Sequence, residues 1–462
     1  MNRPTPHRSF EPSAHAAGQT RPSTSRSSWS SQRGSALLAA LCFSSVLALA
    51  MSSYITLCYR TLELSSRTVQ STRSIELAET GMEEALWALN QTNYNWSGWT
   101  IVGTTATKSV TGFTYESNIT GGFQVTITSY NGSAGTRTVT ATGTTHQPNG
   151  TDLRRTLTAT ATQAPLFVNA IAATTSTVVF SNGGTADSYD SSLGSYGSQT
   201  PTYSAVVASL APATSSATVQ LVNAQIKGFG TSLYSGGPSY STSARLYGPS
   251  TPGTTKIDSS RISSSPYQPI FAITTVSGSG TTLANPALDS TTTIGSPTDT
   301  APAIYYSTGL DLRGTTRIKV DGPVRLVVSG SFYIGLYGGT PKIEVTTNGT
   351  LEVFAAGDIA IYGHGIDNKT RNPQRLAIYG TNTLTVPDMN TGTEFYGVIY
   401  TPTGNFTVAG NSTIYGAIVA KKVSLTGTTP VIHYDLNLRN SVFTGAETPF
   451  AITNWRETTN GG

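Results

Sequence analysis

The sequence predicts a mainly β protein led by one long α-helix, and three observations carry that prediction. No charged residue appears from Gly34 to Tyr59, and between Arg33 and Asn90 there is no proline and, beyond Gly34, a single glycine, Gly81. The remainder is low in charge (11% of residues) and rich in small residues, with 46 glycines, which suits short strands and tight turns better than a large α/β core. Toward the C-terminal end, paired β runs recur with glycine corners between them.

Residues 1–34 form a basic leader, with Arg3, Arg8, Arg21, Arg26 and Arg33 against the single acid Glu11. Such a segment cannot bury enough apolar surface to fold alone. Its charge places the N-terminus on the cytoplasmic side of the inner membrane and everything after Arg60 beyond it. Residues 35–59 are the transmembrane half of the helix, since about 20 apolar residues cross a bilayer. Its apolar surface is Leu37, Leu38, Ala39, Leu41, Phe43, Val46, Leu47, Leu49, Ile55 and Leu57. Residues 60–98 are the soluble half, where Ile75, Ala78, Met82, Ala85, Leu86 and Leu89 recur at spacings of three and four as one packing stripe. A helix from Ser35 to Asn90 is roughly 80 Å long at about 1.5 Å per residue.

A secretory signal peptide competes with the anchor, because Ala48-Leu49-Ala50 has the A-x-A form of a cleavage site. The apolar run continues through Tyr54, Ile55 and Leu57, which a cleaved signal does not need. The two cysteines, Cys42 and Cys58, both lie in this span, about 24 Å apart along a helix, too far for a disulfide.

Residues 99–163 read as a small antiparallel head. Phe123, Val125 and Ile127 alternate with polar residues, Asn131-Gly132 marks a turn, and Val139 and Ala141, then Leu157, Ala159 and Ala161, continue the alternation. Residues 164–440 read as a β-solenoid, or β-helix, of the right-handed type. The runs at 324–339, 351–365, 395–412 and 414–428 repeat at roughly 15 to 19 residues, and a coil that cannot bury its own apolar face stacks on the next. Val178–Gly184 and Val219–Gly230 form an earlier limb, the region around 240–300 is an insertion read as a lateral loop, and 441–462 is a C-terminal tail.

The start of the chain also resembles a known family. Arg33-Gly34 before the apolar helix, ALLAAL at Ala36–Leu41 and ELAETGMEEAL at Glu76–Leu86 are similar to the N-terminal region of PilX-type, GspK-like minor type IV pilins and pseudopilins. The stretch from Phe395 to Asp435 resembles solenoid regions carried by large PilX-type proteins. The resemblance implies a prepilin peptidase that cuts after Gly34 and a methylated new N-terminus at Ser35. It implies the helix packed on the head sheet, and a structural rather than enzymatic role. Its partners are the inner membrane, the peptidase and other pilins or pseudopilins. The protein is then a single-pass inner-membrane protein with a periplasmic C-terminal part that reaches the cell surface after filament assembly. Where major pilins have a glutamate at the fifth mature position this chain has Ala39, which points to a minor subunit that displays its solenoid for adhesion or partner contact.

Chemistry-bearing motifs are sparse. His7, His15, His146, His364 and His433 show no metal-ligand spacing, no nucleophile elbow or phosphate loop appears, and no metal or cofactor is expected. Net charge is +4 with no basic stripe, which excludes nucleic acid as a partner. Asp358, Asp367 and Asp388 are the acids that could share one flank, and Lys421-Lys422 reads as a solvated corner. Tyr333, Tyr337, Tyr362, Tyr379, Tyr396, Tyr400 and Tyr415 recur through the repeats, either as stacking within the coils or as an exposed ladder for surface glycans. The alternative function is a membrane-anchored parallel β-helix enzyme acting on polysaccharide, which needs carboxylates or cations gathered on adjacent coils.

Overall fold

The computed structural model describes residues 33–91, 96–116, 119–130, 135–146, 151–214, 216, 218–362, 365–388 and 394–458. Residues 1–32 of the leader, with His7 and His15, the Asn131-Gly132 turn and His364 lie outside them. The chain divides into two units, one ending at Gln70 and one beginning at Ser71.

The helix α1 runs over Arg33–Asn90. Within the first unit its side chains from 36 to 69 are all exposed. Several hydroxyls there turn back on their own helix: Thr56 Oγ1 donates to Ser52 O at 2.8 Å and Thr61 Oγ1 to Leu57 O at 2.9 Å. That satisfies polar groups a lipid environment would leave without partners. Among the described residues, this is the one helix long and apolar enough to cross a membrane.

In the second unit, the last turns of α1 lie on an antiparallel sheet of six strands. Its first five strands are β1 (Thr100–Val102), β2 (Thr105–Glu116), β3 (Ile119–Thr128), β4 (Thr136–His146) and β5 (Leu153–Gln163). Alternation puts Val125, Ile127, Val139, Ala141, Ala159 and Ala161 on one buried face against Leu77, Ala78, Met82 and Ala85 of the helix. Glycine allows the contact to be close: a Cβ on Gly143 would lie 2.0 Å from Ser74 O and 2.6 Å from Ala78 N. The sixth strand is Phe450–Thr458, paired antiparallel with β5. The expected tail at 441–462 therefore supplies a strand of the head, and the head is not confined to 99–163. Asn90 fixes the joint, donating from Nδ2 to Phe450 O at 3.0 Å and accepting from Phe450 N at 2.6 Å.

Everything between β5 and that last strand is an insertion in the head, whose two ends meet where Ala164 N donates to Pro449 O at 2.8 Å. It is built from parallel strands. One ladder runs through Ala303–Ser307, Pro323–Val328, Thr350–Ala355, Leu376–Gly380, Glu394–Val408 and Thr413–Leu425. A second joins Leu310–Gly314, Phe332–Gly339, Ile359–Tyr362 and Leu384–Asp388 to the later halves of the same two long strands. A third joins Thr291–Ile294, Arg317–Val320, Lys342–Val345 and Ile366–Asn368. Like residues stack in register inside, as in Leu310, Phe332, Ile359, Leu384, Phe406 and Val423. Each buried side chain of this size contributes roughly 1.5–3 kcal/mol.

Partner positions along the first ladder lie 27, 25, 21 and 19 residues apart (Val324 to Leu351, Leu351 to Leu376, Ala377 to Val398, Val398 to Ala417). The expected 15-to-19-residue repeat matches only the last of these; the turns up to Asn368 are longer because they add a third side. It also omits the turn of chain at 376–388.

Chain order and spatial order part company at the end of the ladder. Thr413–Leu425 pairs with Ile171–Ala173 and Val178–Ser181, so the first strands of the insertion stack on its last ones. The ladder continues through Ala205–Ser209 and Gln225–Ser232 to Ile262–Ser263. Six strands close a ring: Gln225–Ser232, Thr185–Tyr189, Val431–Asp435, Thr413–Leu425, Ile171–Ala173 and Ala205–Ser209. The ring closes because Gln225–Ser232 and Thr413–Leu425 are long enough to pair along two sides at once.

Residues 264–280 then run from one end of the ladder to the other, where Thr281–Thr282 pairs with Ala303–Ser307. This strap is tied down midway. Gln268 is buried and donates to Leu166 O at 2.7 Å, Phe271 N donates to Tyr400 Oη at 2.7 Å, and Thr274 N donates to Gly445 O at 2.9 Å. The region around 240–300 is therefore no lateral loop. It supplies strands at both ends of the ladder and the strap between them.

Candidate functional site

Two groups of residues carry the functional argument: the faces of α1, and the side chains on the outer sides of the parallel ladders. Leu37, Leu38, Leu41, Phe43, Val46, Leu47, Leu49, Ile55 and Leu57 are each more than half exposed, and Ala39 is exposed among them. A contiguous apolar surface of this kind needs lipid or protein to cover it. Gly34 and Ser35 lie in the first turn of the helix.

Of the packing stripe, Ala78, Met82 and Ala85 are buried, while Ile75, Leu86 and Leu89 are half-buried at its flanks. The centre of the buried face also includes Ser74, Leu77, Gly81 and Ala88. Most of these are small residues, which a search for large apolar side chains passes over. Small size is what lets the helix backbone come down on Gly143. Ser74 is buried with its hydroxyl 3.0 Å from Thr145 Oγ1 and donating to Leu153 O at 3.1 Å.

The tyrosines separate into two kinds. Tyr379, Tyr396, Tyr400 and Tyr415 are buried. Tyr396 and Tyr415 stack at 4.1 Å with planes 6° apart, and both hydroxyls donate to Glu394 at 3.0 Å. Burial, and then the carboxylate of Glu394, push the Tyr415 phenol up to about 12. Their ring faces are used in packing. Tyr333 and Tyr362 are half-buried, and Tyr337 is 66% exposed.

Beside the stacked pair lies a group the sequence did not reveal. His433 Nδ1 is 2.6 Å from Asp187 Oδ1, Tyr196 Oη donates to Asp187 Oδ2 at 2.9 Å, and Lys227 Nζ lies 3.7 Å from the same oxygen. Tyr196 lies against the imidazole at 3.7 Å between centroids. Asp187 comes from an early strand of the insertion, Tyr196 from a short 3-10 turn that follows it, and His433 from the last strand. No local pattern links residues 246 positions apart. The side chains of His433 and Asp187 are only about a tenth exposed, so the group ties the two chain ends of the ladder together.

The other acids do not gather. Asp358 is exposed just before a strand of the second ladder, Asp367 lies on the third between Lys342 (3.1 Å) and Lys369 (2.7 Å), and Asp388 ends a strand of the second. His146 pairs with Asp152 at 2.9 Å, and Lys421 and Lys422 are exposed. Among the described residues, no group of three histidine, cysteine or carboxylate side chains is placed to hold a metal ion.

A family described as a domain of unknown function, DUF7305, matches residues 273–441. Those bounds take in the ladder from the strap to Val431–Asp435 and leave out the strands at 171–263 that stack on its end. Among solved structures, the chain is similar to the competence-associated pilin ComZ from Thermus thermophilus, with 11% identity over 84% of this chain and 97% of that one. The TM-score is 0.26, too low for this similarity to carry an argument. No curated protein sequence matches.

Proposed function

We propose that the chain is a non-enzymatic, pilin-like minor subunit of a type IV pilus or type II secretion filament. It is held in the inner membrane before assembly, with its N-terminus cytoplasmic. The observation that supports this most directly is the division of labour along α1. Residues 36–59 expose an apolar surface on all sides, while residues 71–89 bury one face under a small antiparallel sheet. A helix that served only as a soluble core element would bury its most apolar half; this one buries the other. In this reading the prepilin peptidase cuts after Gly34, Ser35 is the methylated first residue, and the segment from Leu37 to Leu57 meets lipid and then the helices of neighbouring pilins.

The parallel ladders are read as a three-sided β-solenoid of the right-handed type. It is carried as an insertion in the head and displayed for adhesion or partner contact. Its entry and exit lie side by side, so it can be presented without interrupting the sheet that packs on α1.

The test is N-terminal mass spectrometry of the full chain expressed in membranes with and without an active prepilin peptidase. Methylated Ser35 appearing only with the peptidase is the expected result. A chain beginning at Met51, or uncut in both, overturns the pilin reading.

A further inference from the structure

One outer corner of the parallel ladders has the composition of a ligand site. Two successive turns of chain place Gly314-Thr315-Thr316-Arg317 above Gly339-Thr340-Pro341-Lys342, with Gly314 paired to Gly339 and Arg317 to Lys342. Gly314 and Gly339 hold φ of +60° and +86°, and a Cβ on Gly339 would lie 2.4 Å from Gly314 O. The backbones are thus drawn tight, with Thr340 N donating to Gly314 O at 2.7 Å. The threonines and cations of the two turns consequently repeat at the strand spacing of about 4.8 Å. Thr315, Arg317, Thr340 and Lys342 line an open cleft of about 240 Å³.

The chain flanking the corner supplies two further kinds of group. Tyr337 is two-thirds exposed, with the Arg313 guanidinium 4.1 Å from its ring centre. Carboxylates lie interleaved with the cations: Glu344 is 3.6 Å from Arg317 and 3.2 Å from Lys342, Asp367 is 3.1 Å from Lys342, Asp311 accepts from Arg313 Nε at 2.7 Å, and Asp289 accepts from Thr315 N at 2.6 Å.

From this juxtaposition we propose that the corner binds an anionic polysaccharide, one bearing carboxylate or sulfate groups. Cations beside hydroxyl donors suit the anionic group. The intervening carboxylates accept hydrogen bonds from sugar hydroxyls, and the exposed tyrosine ring offers an apolar face for the sugar ring. A nucleic-acid strand fits less well. Its regular phosphates call for a continuous basic groove with several stacking platforms, whereas here acids alternate with the bases. The proposal rests on the reading of the ladders as the displayed part of the molecule. Binding does not require the cut after Gly34, so the two can fail separately.

The experiment uses the full chain in lipid nanodiscs, titrated calorimetrically with an oligogalacturonate, a heparin-derived oligosaccharide, a neutral malto-oligosaccharide and oligo-dT. At least one acidic oligosaccharide is expected to bind, weakening as salt rises, and at least tenfold more tightly than the neutral one. The tighter of the two acidic probes identifies carboxylate or sulfate as the group recognised. The double variant Arg317→Gln/Lys342→Gln should weaken that binding by about tenfold or more, the effect of losing charge-assisted hydrogen bonds. Tyr337→Ala, at an exposed position that leaves folding intact, should weaken it severalfold and keeps the test decisive if the double variant misfolds. The proposal is overturned if neither acidic probe outbinds the neutral one, if oligo-dT binds as tightly, or if folded variants bind like wild type.

Discussion

Gly143→Ala adds one methyl group at the point where the β4 backbone touches α1. That Cβ would lie 2.0 Å from Ser74 O, 2.6 Å from Ala78 N and 2.9 Å from Leu77 Cβ. A carbon needs roughly 3.5 Å, so the helix has to lift by roughly 1.5 Å. Two of the three obstacles are helix backbone, which cannot swing aside as a flexible side chain would. Lifting it loosens Leu77, Ala78, Met82 and Ala85 from the sheet together, and opens the buried Ser74–Thr145 contact. Overpacking of this kind costs about 1–3 kcal/mol, and a backbone-on-backbone clash belongs at about 3 kcal/mol. In a domain of this size that lowers the melting temperature by roughly 10–20 °C.

The assay is selective by good fortune of sequence. All five tryptophans, Trp29, Trp87, Trp96, Trp99 and Trp455, lie outside residues 164–449, so a tryptophan fluorescence melt follows the head and not the ladders. Gly112→Ala is the control. Gly112 has φ +93° and open space around it, so its cost is conformational, about 1–2 kcal/mol. If Gly143→Ala melts within about 0.5 kcal/mol of wild type, or costs less than the control, the close helix–sheet contact is refuted.

Two further outcomes follow from the way the insertion is built. Residues 164–449 expressed alone should be soluble, β-rich and cooperatively folded, because the large core cluster lies wholly between Leu166 and Ala446 and the ends already meet. An unfolded or helical circular dichroism spectrum refutes that. The ladders should also lose stability in alkali: burial raises the phenols of Tyr400, Tyr415 and Tyr434 from 10 to about 12. A raised folded-state value means that the contribution is fully present below pH 10 and is lost as pH rises through about 12. Tyrosinate absorbance at 295 nm should therefore climb in two stages, the second together with unfolding. A single transition near pH 10 in a still-folded protein would count against this burial.

The sequence by itself determined the elements whose cause is local. The apolar run from Gly34 to Tyr59 and the absence of proline to Asn90 specify the helix, because helical hydrogen bonds reach only four residues along the chain. The alternation of Val125 with Ile127 and of Val139 with Ala141 specifies which face of each strand is covered, because the strand period is two. The identity of partners was settled only in three dimensions. A parallel strand edge offers the same hydrogen-bonding pattern to any strand laid on it, so nothing local says that Thr413–Leu425 accepts Ile171–Ala173. Nor does anything local say that Phe450–Thr458 returns to β5. For the same reason the Asp187–His433 pair and the Arg317–Lys342 corner were illegible. Each joins residues from different turns of chain: Asp187 meets His433 because Thr185–Tyr189 pairs with Val431–Asp435, and Arg317 meets Lys342 because their strands are neighbours on the third ladder.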